Sequence, residues 1–285
     1  MLCITFDNFG CGADFGFGQG KLPPQMRHPV VPVSEWEKIN EIAIELGNPR
    51  MLGLLNELGI PTSFCAEGYS AVLHPEELRQ WTDTGHEIVL HGWKHEIWKA
   101  IPDAETEDRL LTLAMAAMRE ALGDKAPVGF RGPGFKLNPW SEDLLEKHGI
   151  KYVSHVEFRS QAFSDQFDDL GIEYPDEGDD VTLKRLKFSP CSDDLTDANM
   201  VRREDGGLFG KHDAITAYDM AYEAAVAHET ATPDKPWVFV AHPMISGNRA
   251  WLGFERFIRR LHERFGTGAF KTIGEVALAD ELQSA

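Results

Sequence analysis

One pattern limits what this chain can fold into more than any other. Short apolar runs of strand length recur from end to end, and a longer segment with helical periodicity follows most of them. The strand-like runs are LCITF (2–6), PTSFCA (61–66), HEIVLHG (86–92), PVGFRGP (127–133), IKYVSHV (150–156), RLKFSPC (185–191) and WVFVAHP (237–243). Helices are predicted over 34–59, 74–85, 106–123, 141–149, 217–230 and 254–266. Ser34 and Glu37 stand at capping-box spacing, and Gly47 and Pro49 are expected to break the first helix in two. Strands alternating with helices imply a parallel sheet with helical crossovers. About seven such units predict an α/β protein, a distorted (β/α) barrel of about seven parallel strands that forms a single domain over 1–285. An open doubly wound sheet is the alternative.

Composition narrows the partners. The 46 acidic side chains outnumber the 28 basic ones, for a net charge of -18. That balance opposes nucleic acid or an anionic membrane as partner, since both select a basic face. No basic start leads into an apolar leader-like stretch, and no apolar run is long enough to span a bilayer. The four cysteines, Cys3, Cys11, Cys65 and Cys191, form no C-x-x-C pair, so reduced thiols are expected. The expectation is a cytoplasmic protein with a small-molecule substrate. A homo-oligomer is compatible with it.

In parallel α/β folds, chemistry gathers at the C-terminal ends of the strands. Here those ends carry Asp7 and Asn8, Glu67, His91 and His95, Arg131, Ser154 and His155, Asp193 and Asp194, and His242. His91 and His95 lie four positions apart, one helical turn, where two neutral imidazoles can meet one divalent metal. The plain alternative is chance spacing among eleven histidines. Asp7 suits a metal ligand or a general base, or else a turn residue, as Asn8 and the glycines after it also suggest. Arg131 could clamp a carboxylate through forked hydrogen bonds, or be a surface arginine before a Pro-Gly turn. His242 could be a general acid for an amine leaving group, or a hydrogen-bonded core histidine. The loop GCGADFGFGQG fits no phosphate-binding motif. Phe9, Phe15, Phe17, Trp93, Trp98 and Phe135 are placed to enclose a compact ligand or to pack loops. Trp93, Phe135, Glu96 and Asp194 are the residues expected to meet substrate.

Four of these segments, TFDN, HGWKH, RGP and FVAH, stand in an order that resembles the polysaccharide deacetylase superfamily. That pattern is an Asp-rich TFDD after the first strand, H-x-x-x-H after the third, R-x-P after the fourth, and a late apolar strand ending in His. The resemblance runs from Thr5 to about residue 276. HGWKHE, AHPMISGNRAWLGFERFIRRL and FKTIGEVA look like an intracellular branch. That branch holds allantoinase-like enzymes, cyclic imide hydrolases and a peptidoglycan-deacetylase-like group. SPCSDDL (189–195) is a looser match to it.

The resemblance implies a distorted (β/α) barrel that hydrolyses a carbon–nitrogen amide-type bond by metal-assisted attack of water. Asp7 would be the base, Arg131 its positioning partner and His242 the acid. The metal ligands would be His91 and His95, with Asp7 and Asn8 at the two acidic positions of the first motif. Zinc is the first expectation for the metal, with Mn, Co or Ni as alternatives. One departure stands out: the usual ligand aspartate is Asn8, and an amide oxygen is a weaker donor than a carboxylate. Asp7 could ligate instead, another carboxylate such as Asp14 or Glu96 could fill in, or the site could work with little metal. The expected substrate is a small amide or cyclic imide. The alternatives are an N-deacetylase of N-acetylated sugars or polysaccharides, and a non-catalytic small-molecule-binding relative with a degraded metal site.

Overall fold

The computed structural model describes residues 1–10, 38, 40–96, 98, 101–133, 137–156, 187–191 and 213–279. Seven strands are present among the described residues: β1 (Leu2–Asp7), β2 (Ser63–Ala66), β3 (Glu87–Leu90), β4 (Gly129–Arg131), β5 (Tyr152–Val156), β6 (Lys187–Cys191) and β7 (Trp237–Ala241). They pair in the order β6-β5-β4-β3-β2-β1-β7, and every ladder is parallel. The two end strands, β6 and β7, bring Cα atoms within 8 Å of each other. No ladder joins them among the described residues. The sheet is therefore curled into an incomplete barrel, as expected, and is not an open doubly wound sheet.

Side chains alternate across this sheet with period two. Leu2, Ile4 and Phe6 of β1, Phe64 and Ala66 of β2, Ile88 and Leu90 of β3, Phe130, Val153, and Trp237, Phe239 and Ala241 of β7 share one core with the helices. Cys3, Cys65, Val89, Tyr152, Val238 and Val240 form a second cluster with Ile273 on the inner face. Both faces are buried, as a parallel sheet requires, so the strands read as continuous apolar runs.

The helices are α1 (Asn48–Leu58), α2 (Ser70–Leu73), α3 (Pro75–Asp83), α4 (Ala104–Leu122), α5 (Ser141–Lys147), α6 (Ala214–Ala231), α7 (Trp251–Phe265) and α8 (Ile273–Ala277). The longest, α4, starts where the Asp103 side chain accepts a hydrogen bond from the Thr106 amide at 2.8 Å, a cap worth about 1 kcal/mol. It buries Leu110, Leu111, Ala114, Met115 and Met118. On α3, Trp81 meets Phe64 edge to face, with ring centroids 4.9 Å apart. Neither α2 nor α8 was predicted, because four or five residues are too short to show helical periodicity.

The expected break at Gly47 and Pro49 does not occur. A π-helical turn, Ala43–Gly47, runs directly into α1, and the Asn48 amide bonds the Ala43 carbonyl. Pro49 falls in the first turn of α1, where its missing N–H does no harm. Ser34 and Glu37 lie outside the described residues. A second π-helical turn, Ile245–Arg249, follows β7. The two turns touch through their glycines: a Cβ on Gly247 would sit 2.3 Å from the Gly47 Cα, and a Cβ on Gly47 would sit 2.5 Å from the Pro243 carbonyl oxygen. This contact presses the segment after β7, which carries His242, against the start of α1.

The inner face is sealed at the N-terminal ends of the strands. Glu87, the first residue of β3, accepts hydrogen bonds from the Ser63 hydroxyl at 2.6 Å, the Tyr152 hydroxyl at 2.6 Å and the Gly274 amide at 3.0 Å. The Ile273 amide bonds Ser63 Oγ. The first turn of α8, set by a Thr272–Glu275 capping box, is thus the floor of the barrel.

Candidate active site

The opposite end of the inner face holds the candidate chemistry. Extending each strand's inward parity by at most one residue past its end gives Asp7, Glu67, His91, Arg131, Ser154 and His242. Their side chains therefore turn into the same mouth. This is the period-two rule of the core, continued with polar residues.

Arg131 is the organising group. It is fully buried, which excludes the surface-arginine alternative. Its Nη1 donates to Asp7 Oδ1 at 2.6 Å and to Thr5 Oγ1 at 3.0 Å. Its Nε and Nη2 donate to Ser154 Oγ at 3.2 and 3.0 Å. One guanidinium thus ties β4 to β1 and β5. Burial alone would raise the Asp7 pKa, but Arg131, His91 and His242 reverse this and hold it down at about 2. Asp7 is therefore ionised at any working pH.

His91 is held in one tautomer. Its Nδ1 lies 2.7 Å from the Arg131 carbonyl, and a carbonyl only accepts, so Nδ1 carries the hydrogen. Burial lowers its pKa to about 3 despite the nearby Asp7. The ring is therefore neutral, with its lone pair on Nε2, 3.9 Å from Asp7 Oδ2. The His95 ring packs edge-on against it, with centroids 4.9 Å apart. The two histidines meet as expected, but not on a helical turn. Residues 91–96 form a non-helical loop.

That loop is shaped by Glu96. Its two carboxylate oxygens accept the Trp93 and Lys94 amides at 2.9 Å each. Glu96 is buried beneath the turn and so is neither placed to meet substrate nor available as a replacement ligand. Trp93 is half-buried and packs against Tyr69, with centroids 5.2 Å apart, at the rim. Phe9 and Trp98 are core residues, packed on Phe64 and Phe130. Phe135, Asp194, Asp14, Phe15 and Phe17, and the His155 side chain, lie outside the described residues.

Two observations set this mouth apart. Among the described non-glycine residues, Asn8 (φ 66°) and His95 (φ 59°) are the ones with left-handed backbone. Such a conformation costs on the order of 1 kcal/mol and gathers at functional sites. Asn8 Oδ1 is also buried without a hydrogen-bond partner, which a native fold seldom tolerates without a reason. Among the described residues no three His, Cys, Asp or Glu side chains close on a common point. The donors on offer are two imidazoles and one amide oxygen. This set fits a divalent cation, more weakly than one containing a carboxylate.

Comparison with known proteins agrees with the motifs. Residues 44–153 match the polysaccharide deacetylase family model. The span contains His91, His95 and Arg131 and leaves Asp7 and His242 outside it. The chain is 27% identical over 226 residues to a peptidoglycan deacetylase of Helicobacter pylori, covering 70% of this chain and 76% of that protein. A crystal structure of a candidate polysaccharide deacetylase from Mycobacterium smegmatis superposes with a TM-score of 0.71, at 24% identity over 99% of this chain and 90% of that one. Puue allantoinase superposes with a TM-score of 0.65, at 18% identity over 92% and 84% of the two chains. The similarity to the polysaccharide deacetylase family thus rests on residues 44–153.

Sequence reasoning left some of the mouth without a role. Glu67 and Ser154 stood among the strand-end residues with no task assigned, and Thr5 was not singled out. The available signal was parity, since all three continue the inward face of their strands.

Proposed function

We propose that the protein removes the acyl group of an N-acetylated sugar by hydrolysis of its amide bond. The observation that carries the reaction is the buried Asp7–Arg131 pair set beside His91 and His242. The deacetylase relative supports the substrate class. His91, His95 and Asn8 would hold a divalent cation, zinc first among the candidates. Bound there, the cation would supply Lewis acidity to the acyl oxygen.

This chain's own residues do the rest. Arg131 fixes Asp7 in orientation and keeps it charged. Asp7 accepts a hydrogen bond from the attacking water and aligns it. A carboxylate held near pKa 2 is a weak base, so orientation and charge are its larger contribution. His242 delivers a proton to the departing nitrogen. Trp93 and Tyr69 offer an aromatic rim for a sugar ring.

A second reading, a small amide or cyclic imide as substrate, draws on the depth of the site, since Asp7, His91 and Arg131 are each 3% exposed or less. Acetate release from N-acetylated chito-oligosaccharides and peptidoglycan fragments, beside turnover of allantoin and succinimide, separates the two. Acetate release is expected. Turnover of the imides alone would replace the first reading with the second.

A further inference from the structure

His242 stands one residue past the end of β7, so the sheet no longer fixes its main chain. The segment that follows does. The Ile245 and Ser246 amides both donate to the His242 carbonyl, at 2.9 and 2.8 Å. Two donors on one carbonyl hold the peptide plane after His242, and with it the direction in which the ring leaves the backbone. Ile245 and Ser246 open the π-helical turn Ile245–Arg249, a rare form that gathers at functional sites.

Three contacts clamp the middle of that turn. Gly247 lies against Gly47, Arg50 Nη1 donates to the Gly247 carbonyl at 3.2 Å, and the Ser246 hydroxyl bonds the Tyr218 hydroxyl of α6. The last contact is polar in apolar surroundings. Tyr218 and Ser246 are each 1% exposed, and the Tyr218 ring lies among Phe239, Phe254 and Phe257. Phe at position 218 and Ala at 246 would fill much the same space without the cost of desolvating two hydroxyls. Paired, the two hydroxyls satisfy each other and give the turn a direction that apolar contact alone does not specify.

We infer that Tyr218 and Ser246 are positioning residues, whose hydroxyl pair locks the π-helical turn so that its amides aim His242 at the departing nitrogen. Tyr218 belongs to the core between sheet and helices, so it acts through the backbone of His242 and not on substrate. The inference rests on the reading of His242 as the acid.

The test follows acetate release by the full chain from two acetyl donors. The amine of N-acetylated chito-oligosaccharide needs a proton to leave, and the phenolate of 4-nitrophenyl acetate does not. His242→Ala should therefore lose far more kcat on the amide than on the ester. Tyr218→Phe and Ser246→Ala should show the same bias, each losing roughly 10–100-fold in kcat on the amide with KM unchanged. The double variant should be no slower than the worse single, because both remove one contact. In NMR spectra of histidine-labelled protein, with the His242 signals identified by their loss in His242→Ala, both variants should move those signals and leave the His86 signals in place. Where Tyr218→Phe does not fold, Ser246→Ala is read alone. Equal losses on the two donors, multiplied losses in the double variant, or unmoved His242 signals overturn the inference alone. Equal losses in His242→Ala overturn the acid reading and the inference with it. If wild type hydrolyses neither donor, the proposed substrate class falls, and the His242 signals decide whether the hydroxyl pair positions the ring.

Discussion

The two ends of the barrel interior each hold a buried carboxylate, and the protein treats them in opposite ways. At the floor, Glu87 is surrounded by neutral donors, namely two hydroxyls and a backbone amide, and burial raises its pKa. At the mouth, Asp7 faces a guanidinium and two histidines, and its pKa falls to about 2. The floor holds buried atoms without a hydrogen-bond partner too, Thr62 Oγ1 and His86 Nδ1, but no left-handed non-glycine residue among the described residues. The mouth keeps an amide oxygen without a partner and two residues in left-handed backbone. A fold tolerates that pairing of strain and an unmet acceptor where a ligand is to be bound, so the floor reads as structure and the mouth as chemistry.

The largest expected effect comes from removing the mouth's cation. Arg131→Met strands the Asp7 charge in the interior and should cost about 3–5 kcal/mol by denaturant unfolding, with loss of activity. A loss below 1 kcal/mol would mean that water reaches Asp7 freely. Next is the backbone crossing that seats His242. Gly247→Ala forces a Cβ into Gly47 and should cost about 1–3 kcal/mol. Its kcat should fall as well, whereas an unchanged kcat would detach the crossing from the site.

The two carboxylates should also give opposite pH dependences. The Asp7 pKa is lowered from 3.8 to about 2 on folding. Its stabilisation is therefore present above pH 4 and is lost as pH falls through about 2, on the order of 2 kcal/mol in all. The Glu87 pKa is raised from 4.5, so its effect runs the other way, and stability declines as pH rises above that value. Melting temperatures measured across pH 2 to 7 should show Asp7→Asn flattening the acid limb and Glu87→Gln flattening the rise-linked decline. The same limb flattened by both variants would erase the distinction. The smallest effect is Glu87→Gln at neutral pH, where the lost hydrogen bonding and the removed charge oppose each other, so the thermal melt should shift by under about 1 kcal/mol with kcat unchanged.

Much of this was readable from the sequence because parallel strands impose two simple rules. Buried strands are apolar throughout, so all seven were visible as runs, and polar residues at their ends flagged Asp7, His91, Arg131 and His242. What was not readable depends on where side chains turn after a strand stops. Glu96 looked like a ligand or substrate contact because nothing in HGWKHE shows that its carboxylate folds back onto the Trp93 and Lys94 amides. His95 reaches His91 through a left-handed residue rather than a helical turn, and sequence spacing cannot tell these apart. Phe9 and Trp98 are apolar residues in loop-like sequence, and only the packing on Phe64 and Phe130 shows them to be core. Glu67 carried a signal, its inward parity, that becomes meaningful once the Phe9 amide is seen bonding to it.

The most direct measurement compares acetate release from N-acetylated chito-oligosaccharide by Asp7→Asn and Glu87→Gln, with melting temperature recorded for both. Asp7→Asn should lose roughly 10²–10⁴-fold in kcat while staying folded, and Glu87→Gln should keep its kcat while losing the decline in melting temperature at higher pH. Wild-type turnover by Asp7→Asn would contradict the assignment of the mouth as the active site.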